Sequence, residues 1–139
     1  MLLAKLKHLE RWNELRQRAA ARYDALLADL PDVQVPAIAP DNHHVFHLYV
    51  IRVPRRDETL QALQAAGIGA GIHYPVPIHL QGAFKHLGCR AGDYPIAESA
   101  AADMLSLPLY PQITVEQQER VVNALRSAIQ RGSPSCIAV

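Results

Sequence analysis

Cysteine is scarce in this chain, and its scarcity narrows the possibilities first. The two cysteines, Cys89 and Cys136, lie far apart and outside any CxxC spacing, which excludes a disulfide framework and a cysteine-built zinc site and leaves free thiols. No apolar run approaches the roughly 18 residues that span a bilayer. The opening MLLAKLKHLERW carries a charge every few residues, unlike a signal peptide, so a soluble, cytoplasmic chain without a membrane partner is expected. An excess of one charge is missing too: 14 Lys and Arg face 13 Asp and Glu, for a net +1. No basic face with interleaved aromatics emerges, and nucleic acid is excluded as a partner. Internal repeats and low-complexity segments are also absent. What remains is 139 residues, 50% of them hydrophobic, enough for one compact domain with its own core.

The most distinctive stretch is GIGAGIHYPVPIHL, residues 67–80. Gly67, Gly69 and Gly71 alternate with Ile68, Ala70 and Ile72, a period-two pattern that predicts a short strand closely approached by another backbone. Pro75 and Pro77 lack the amide proton that a sheet ladder needs, so the chain leaves the sheet there. His73, Tyr74 and His79 are thereby carried onto an ordered loop, a setting suited to binding. The glycines precede a proline-broken loop instead of opening a helix, so they do not form a GxGxxG dinucleotide fingerprint.

Upstream, Leu2, Leu6, Leu9, Trp12, Ala19, Tyr23, Leu26 and Leu30 fall near one stripe and predict a single amphipathic helix over residues 2–30, stopped by Pro31. Its span of roughly 42 Å exceeds what a domain with a radius of gyration of about 14 Å covers. Either part of it overhangs to meet a partner, or it breaks near Asn13 and folds back. His43 to Val53 is dense in β-branched and aromatic residues and predicts a central strand. On a strand His43 and His47 stand about 13 Å apart, so the histidines at 43, 44 and 47 cannot share a metal ion and are expected at the surface.

Asp57 is the predicted N-cap of a helix running to Ala66, with Gly67 as its left-handed terminator. Gln81 to Leu87 predicts a short helix ended by Gly88, and Pro95 fits the first position of another. Asp93 and Glu98 are expected to complement that helix's dipole and not to form an acid–base pair. Leu105 to Leu109 predicts a third short strand. Thr114 with Gln117 is a capping box opening a last helix, with Val115, Val122, Leu125 and Ile129 as its stripe and Gly132 as its end. The expected fold is α+β: a mostly antiparallel sheet of about three strands packed with helices, preceded by the long helix. The domain covers residues 1–131, and 132–139 form a flexible tail.

GIGAGIHYPVPIHLQGAF, LGCRAGDYPIAESAAADMLSLPLYP and TVEQQERVVNAL, in that order, resemble the C-terminal small domain of the DegT/DnrJ/StrS sugar aminotransferases, fold-type-I enzymes that use pyridoxal phosphate. The segment LKHLERWNELRQRAAARYDALL resembles the helix linking that family's large and small domains, so the likeness covers nearly the whole chain. It implies that His73, Tyr74 and His79 bind substrate, a nucleotide-linked keto-sugar, on one side of its pocket. It also implies that the Schiff-base lysine, the acidic partner of the pyridine nitrogen and the phosphate-binding residues belong to a large domain whose sequence is not among these residues. Lys5, Lys7 and Lys85 are the only lysines, and none sits in a family-like lysine motif. On this reading no catalytic residue and no cofactor-binding residue is assigned, and the chain by itself is inactive and binds no pyridoxal phosphate. Its partner is a large-domain chain, or a second copy through the N-terminal helix. The alternative is a stand-alone ligand-binding or interaction module built on the same fold.

Overall fold

A computed structural model describes residues 2–131; the expected tail, Gly132 and Cys136 lie outside the described residues. The elements are α1 (Leu2–Leu6), α2 (Leu9–Leu27), β1 (Tyr49–Arg52), α3 (Arg56–Ala65), two 3-10 turns (Ile78–Leu80 and Gly82–Leu87), α4 (Pro95–Asp103), β2 (Met104–Leu107) and α5 (Val115–Arg131). The fold is α+β, as expected, but its sheet is smaller. β1 and β2 pair antiparallel, from Tyr49 opposite Leu107 to Arg52 opposite Met104. Single bridges extend the sheet at each edge, Gln34 to Arg52 and Gly71 to Ser106.

The expected strand in the glycine-rich stretch therefore shrinks to one bridge. Gly71 and Ser106 exchange both backbone bonds, at 3.1 and 2.8 Å, while the Ala70 amide turns back to the Ile68 carbonyl. Glycines bring no side chains to pack against a neighbouring strand, so nothing prolongs the pairing. The expected close backbone is met only at the Ser106 bridge; a Cβ on Gly71 would stand 3.2 Å from the His73 ring, and Gly69 faces open space.

The single helix over residues 2–30 is also corrected. It breaks at Lys7–His8, not near Asn13, and ends at Leu27. α1 buries none of its residues, so no tertiary contact compels the helix to continue through the break. From Ala19 on, the expected stripe holds in part: Ala19 and Tyr23 are buried, but Leu27 takes the buried place expected of Leu26, and Leu26 and Leu30 are half-buried.

His43 to Leu48 do not join the predicted central strand. Phe46 takes a left-handed backbone, φ +49°, its amide donates to His44 Nδ1 at 2.9 Å, and its ring turns into the core. Arg16 and Gln17 of α2 hold this loop by donating to the carbonyls of Val45 and His44. His43, His44 and His47 are exposed.

Tyr23, Leu27, Tyr49, Ile51, Leu63, Leu105 and Leu125 are fully buried where α2, α3 and α5 cover the two strands. The rings of Tyr23 and Tyr49 lie 4.9 Å apart. Their hydroxyls donate to the Pro108 carbonyl and to Asp24, and burial raises both phenols above their ordinary pKa. Gln118, wholly buried, joins α5 to α2: it donates to the Ala19 carbonyl at 2.8 Å and accepts from Arg22.

Local chain signals fare unevenly. Gly67 ends α3 with φ +73°, and the amides of Gly67 and Ile68 bond the carbonyls of Gln64 and Leu63, the Schellman pattern. Thr114 and Gln117 exchange both bonds of a capping box. Asp57, however, is not a cap: α3 starts at Arg56, after Arg55 in the left-handed region. Asp57 lies in the first turn and accepts from Arg56. Val115 falls at the exposed start of α5 instead of on its buried stripe.

Candidate functional site

The chain leaves the Gly71 bridge and runs through Pro75 and Pro77 into the two 3-10 turns, which face α4 across an open groove of about 490 Å³. Tyr74, Ile78, His79 and Leu87 come from the turn side, and Tyr94 and Met104 from the two ends of α4. Alanines fill the helix side: Ala97, Ala100 and Ala101. Their short side chains leave the room that the larger groups line.

Of the three residues predicted to bind, Tyr74 and His79 line this one groove. Tyr74 is 71% exposed, a phenol free to meet a ligand. His73 is oriented differently. Its Nδ1 lies 2.9 Å from the Ser106 hydroxyl on β2, and its ring meets Tyr74 edge-on at 5.8 Å. It ties the loop to the sheet beneath the groove and is not among the lining residues.

His79 sits on the first 3-10 turn with its side chain 10% exposed. Its Nε2 lies 2.9 Å from Glu98 Oε1, and its ring packs on Tyr94 at 4.7 Å. Glu98 also accepts from the Gly92 amide, 2.9 Å to each oxygen, and from the Tyr94 amide at 3.2 Å. These contacts, the Gly92 amide foremost, hold its carboxyl below the usual glutamate range. The expectation that Glu98 only complements the dipole of α4 is thus too narrow. Asp93 points elsewhere and accepts from the Arg90 amide at 2.7 Å. A local clue to Glu98 was present: it stands one turn after Tyr94 and Pro95, so its carboxylate can fold back over the helix start. Its pairing with His79, 19 residues away in sequence, had no such clue.

No helix among the described residues is long and apolar enough to cross a membrane. Nor does any group of three or more His, Cys, Asp or Glu among them come together in a way that could hold a metal ion.

The chain spans about a third of the length of the known proteins it matches. The chain is 42% identical to a dTDP-3-amino-3,4,6-trideoxy-alpha-D-glucose transaminase of Streptomyces venezuelae over 131 residues, 94% of this chain and 35% of that protein. It is also 42% identical over 127 residues to a protein of Geobacillus stearothermophilus named pleiotropic regulatory protein, 90% of this chain and 34% of that one. The crystal structure of S. venezuelae DesV in complex with a ketimine intermediate superposes with a TM-score of 0.88 at 42% identity, over 94% of this chain and 35% of that one.

Aminotransferases of this kind depend on pyridoxal phosphate, and the residues present do not fit that group. Its aldehyde needs a lysine amine held in a pocket and its phosphate needs anchored donors. Lys5, Lys7 and Lys85 are all exposed, and none lines the groove. No chemical step is therefore routed through the cofactor on these residues. A family model matches residues 1–126, and the chain belongs to the DegT/DnrJ/EryC1/StrS aminotransferase family.

Proposed function

We propose that this chain is the C-terminal, substrate-covering small domain of a pyridoxal-phosphate-dependent nucleotide-sugar aminotransferase, and that these residues are catalytically incomplete alone. The observation that carries the reading is the groove in which a phenol and an imidazole edge an apolar wall, in a chain matching about a third of sugar transaminases. Tyr74 and His79 offer polar tips on flat apolar bodies, which suits a sugar ring with hydroxyls on its rim and C–H groups on its face. His73, bonded to Ser106 outside the groove lining, contributes by holding the loop that carries Tyr74. Their work is to bind, orient and exclude water, while the cofactor chemistry falls to a large domain.

The test is a chimera in which this chain replaces the matching third of the S. venezuelae transaminase. The chimera should aminate its keto-sugar, and His79→Ala or Tyr74→Ala should lower kcat/KM roughly tenfold, the weight of a lost ligand hydrogen bond, without unfolding the domain. The 139-residue chain alone, incubated with pyridoxal phosphate and reduced with borohydride, should show no selectively labelled lysine. Unaltered kinetics with a large fall in melting temperature would make these residues structural, and complete labelling of one lysine would overturn the incompleteness.

A stand-alone ligand-binding or interaction module is the second reading, and it would be favoured by loss of the apolar surface where a large domain docks; that surface is retained. Leu2 and Leu3 are each 79% exposed and Leu6 56% on α1, an apolar face left for a large-domain partner or a second copy. Sedimentation should show self-association that Leu6→Ser with Leu9→Ser abolishes. A monomer across the micromolar range, unchanged by the substitutions, would remove α1 from consideration as a docking surface.

A further inference from the structure

His79 lines the groove and meets Glu98 through one ring nitrogen, and the chemistry of Glu98 determines what the other can do. Both Glu98 oxygens already receive amide hydrogens, from Gly92 and Tyr94. Those donors hold the carboxyl below its ordinary range, so it is ionised near neutrality. An ionised carboxylate has lone pairs and no proton to give, so the 2.9 Å contact with His79 Nε2 requires the hydrogen to sit on that nitrogen. A neutral imidazole carries only one such hydrogen, and the nitrogen that bears it is set by the partner of the other. His79 Nδ1 makes no hydrogen bond among the described residues and is not among the buried polar atoms left without a partner. It reaches solvent on a residue that lines the groove. Tyr94 lies against the ring at 4.7 Å and, with the Glu98 bond, limits the ring flip that would exchange the two nitrogens.

We propose that Glu98 is a positioning residue that holds His79 in the Nε2–H tautomer, so that Nδ1 meets the groove's ligand as a hydrogen-bond acceptor and selects a hydroxyl over a ketone or phosphate oxygen. The tautomer stands on the geometry of this chain alone; the hydroxyl rests on the sugar-binding reading above. An acceptor facing a carbonyl or phosphate oxygen leaves two lone pairs opposed, whereas a hydroxyl supplies the missing hydrogen. His79 thereby discriminates among the oxygens of a sugar and does not simply attract anions.

Histidine ring-nitrogen NMR on the full 139-residue chain at pH 8 tests this, with the His79 signals assigned by their loss in His79→Gln. Nε2 should resonate as the protonated nitrogen and Nδ1 as the bare one, in roughly tenfold excess or more over the other tautomer, as a charge-assisted bond of this kind implies. Glu98→Gln keeps an oxygen for the Gly92 and Tyr94 amides, but its NH₂ can also donate to the ring, so the two nitrogens should move toward each other as the tautomers mix. A hydrogen on Nδ1 in the unsubstituted chain, or the same ratio in both proteins, would overturn the proposal. If Glu98→Gln disturbs the turn, the unsubstituted chain decides alone. In the chimera, adding dTDP-glucose should shift His79 Nδ1, and dTDP should not. A bare Nδ1 that responds to neither would overturn the hydroxyl assignment and count against the sugar reading, with the tautomer already established.

Discussion

Between α2 and α5 the chain uses its apolar residues for its own core, whereas from Tyr74 to Tyr94 it leaves comparable residues in solvent. Leu125 on α5 is wholly buried, and Leu87 at the end of the second 3-10 turn is 59% exposed. Neither 3-10 turn buries a residue. A segment that gains so little from burial must take its shape from other forces. Here these are two prolines, the Gln81 side chain bonded to the Val76 carbonyl at 3.1 Å, and Glu98 gathering two amides and an imidazole. One side of the molecule is held by packing and the other by a few polar contacts. The second leaves its apolar surface free for whatever occupies the groove.

The same substitution on each side should break this comparison if it is wrong. Leu125→Ala removes a side chain that touches the core from all directions and should cost about 2–5 kcal/mol in denaturant unfolding. Leu87→Ala should stay within about 0.5 kcal/mol, as an exposed position does. Similar losses at the two positions would mean that the groove wall is part of the core. In the chimera the order should reverse, with Leu87→Ala felt in substrate use and Leu125→Ala felt only through stability.

Much of this architecture was legible where the deciding forces are local. The glycine that ends α3 and the Thr114–Gln117 box that opens α5 draw on hydrogen bonds within a few residues, and both could be read from spacing alone. The run from His43 could not. Its composition suits a strand, but Arg16 and Gln17 seize its carbonyls from α2, nearly 30 positions earlier, and Phe46 turns the backbone left-handed to reach the core. Leu2, Leu6 and Leu9 continue a helical stripe in sequence, yet nothing in the fold lies beneath it to hold the helix through Lys7. At the candidate site, Tyr74 and His79 were legible because prolines mark a rigid loop around them. Glu98 resembled an ordinary helix-start carboxylate, since its imidazole partner lies on a turn that the sequence does not visibly bring near.

The smallest predicted effect concerns that carboxylate and sharpens the contrast between the two sides. Glu98 is held below its ordinary value of 4.5, chiefly by the Gly92 amide and further by the Tyr94 amide and His79. In the unfolded chain these donors are gone and the carboxyl titrates in its usual range. Between the two values the unfolded chain binds the extra proton, so stability falls as pH falls. The contribution is complete above 4.5 and is lost as the pH drops through the lower, folded value. Glu98→Gln has no such proton to bind. The stability gap between the two proteins should therefore be constant near neutrality, narrow below pH 4.5 and vanish once the native carboxyl is protonated. Denaturant unfolding of both proteins across that range measures it. Asp29, held low by its two-pronged pairing with Arg126 of α5, supplies the control on the packed side: Asp29→Asn should show a gap of the same sign, with the groove untouched. A Glu98 gap that persists at the acid end or widens there would mean that the side chain acts by filling space. The groove would then be held by packing after all, and the contrast with the core would fail at the residue on which it rests.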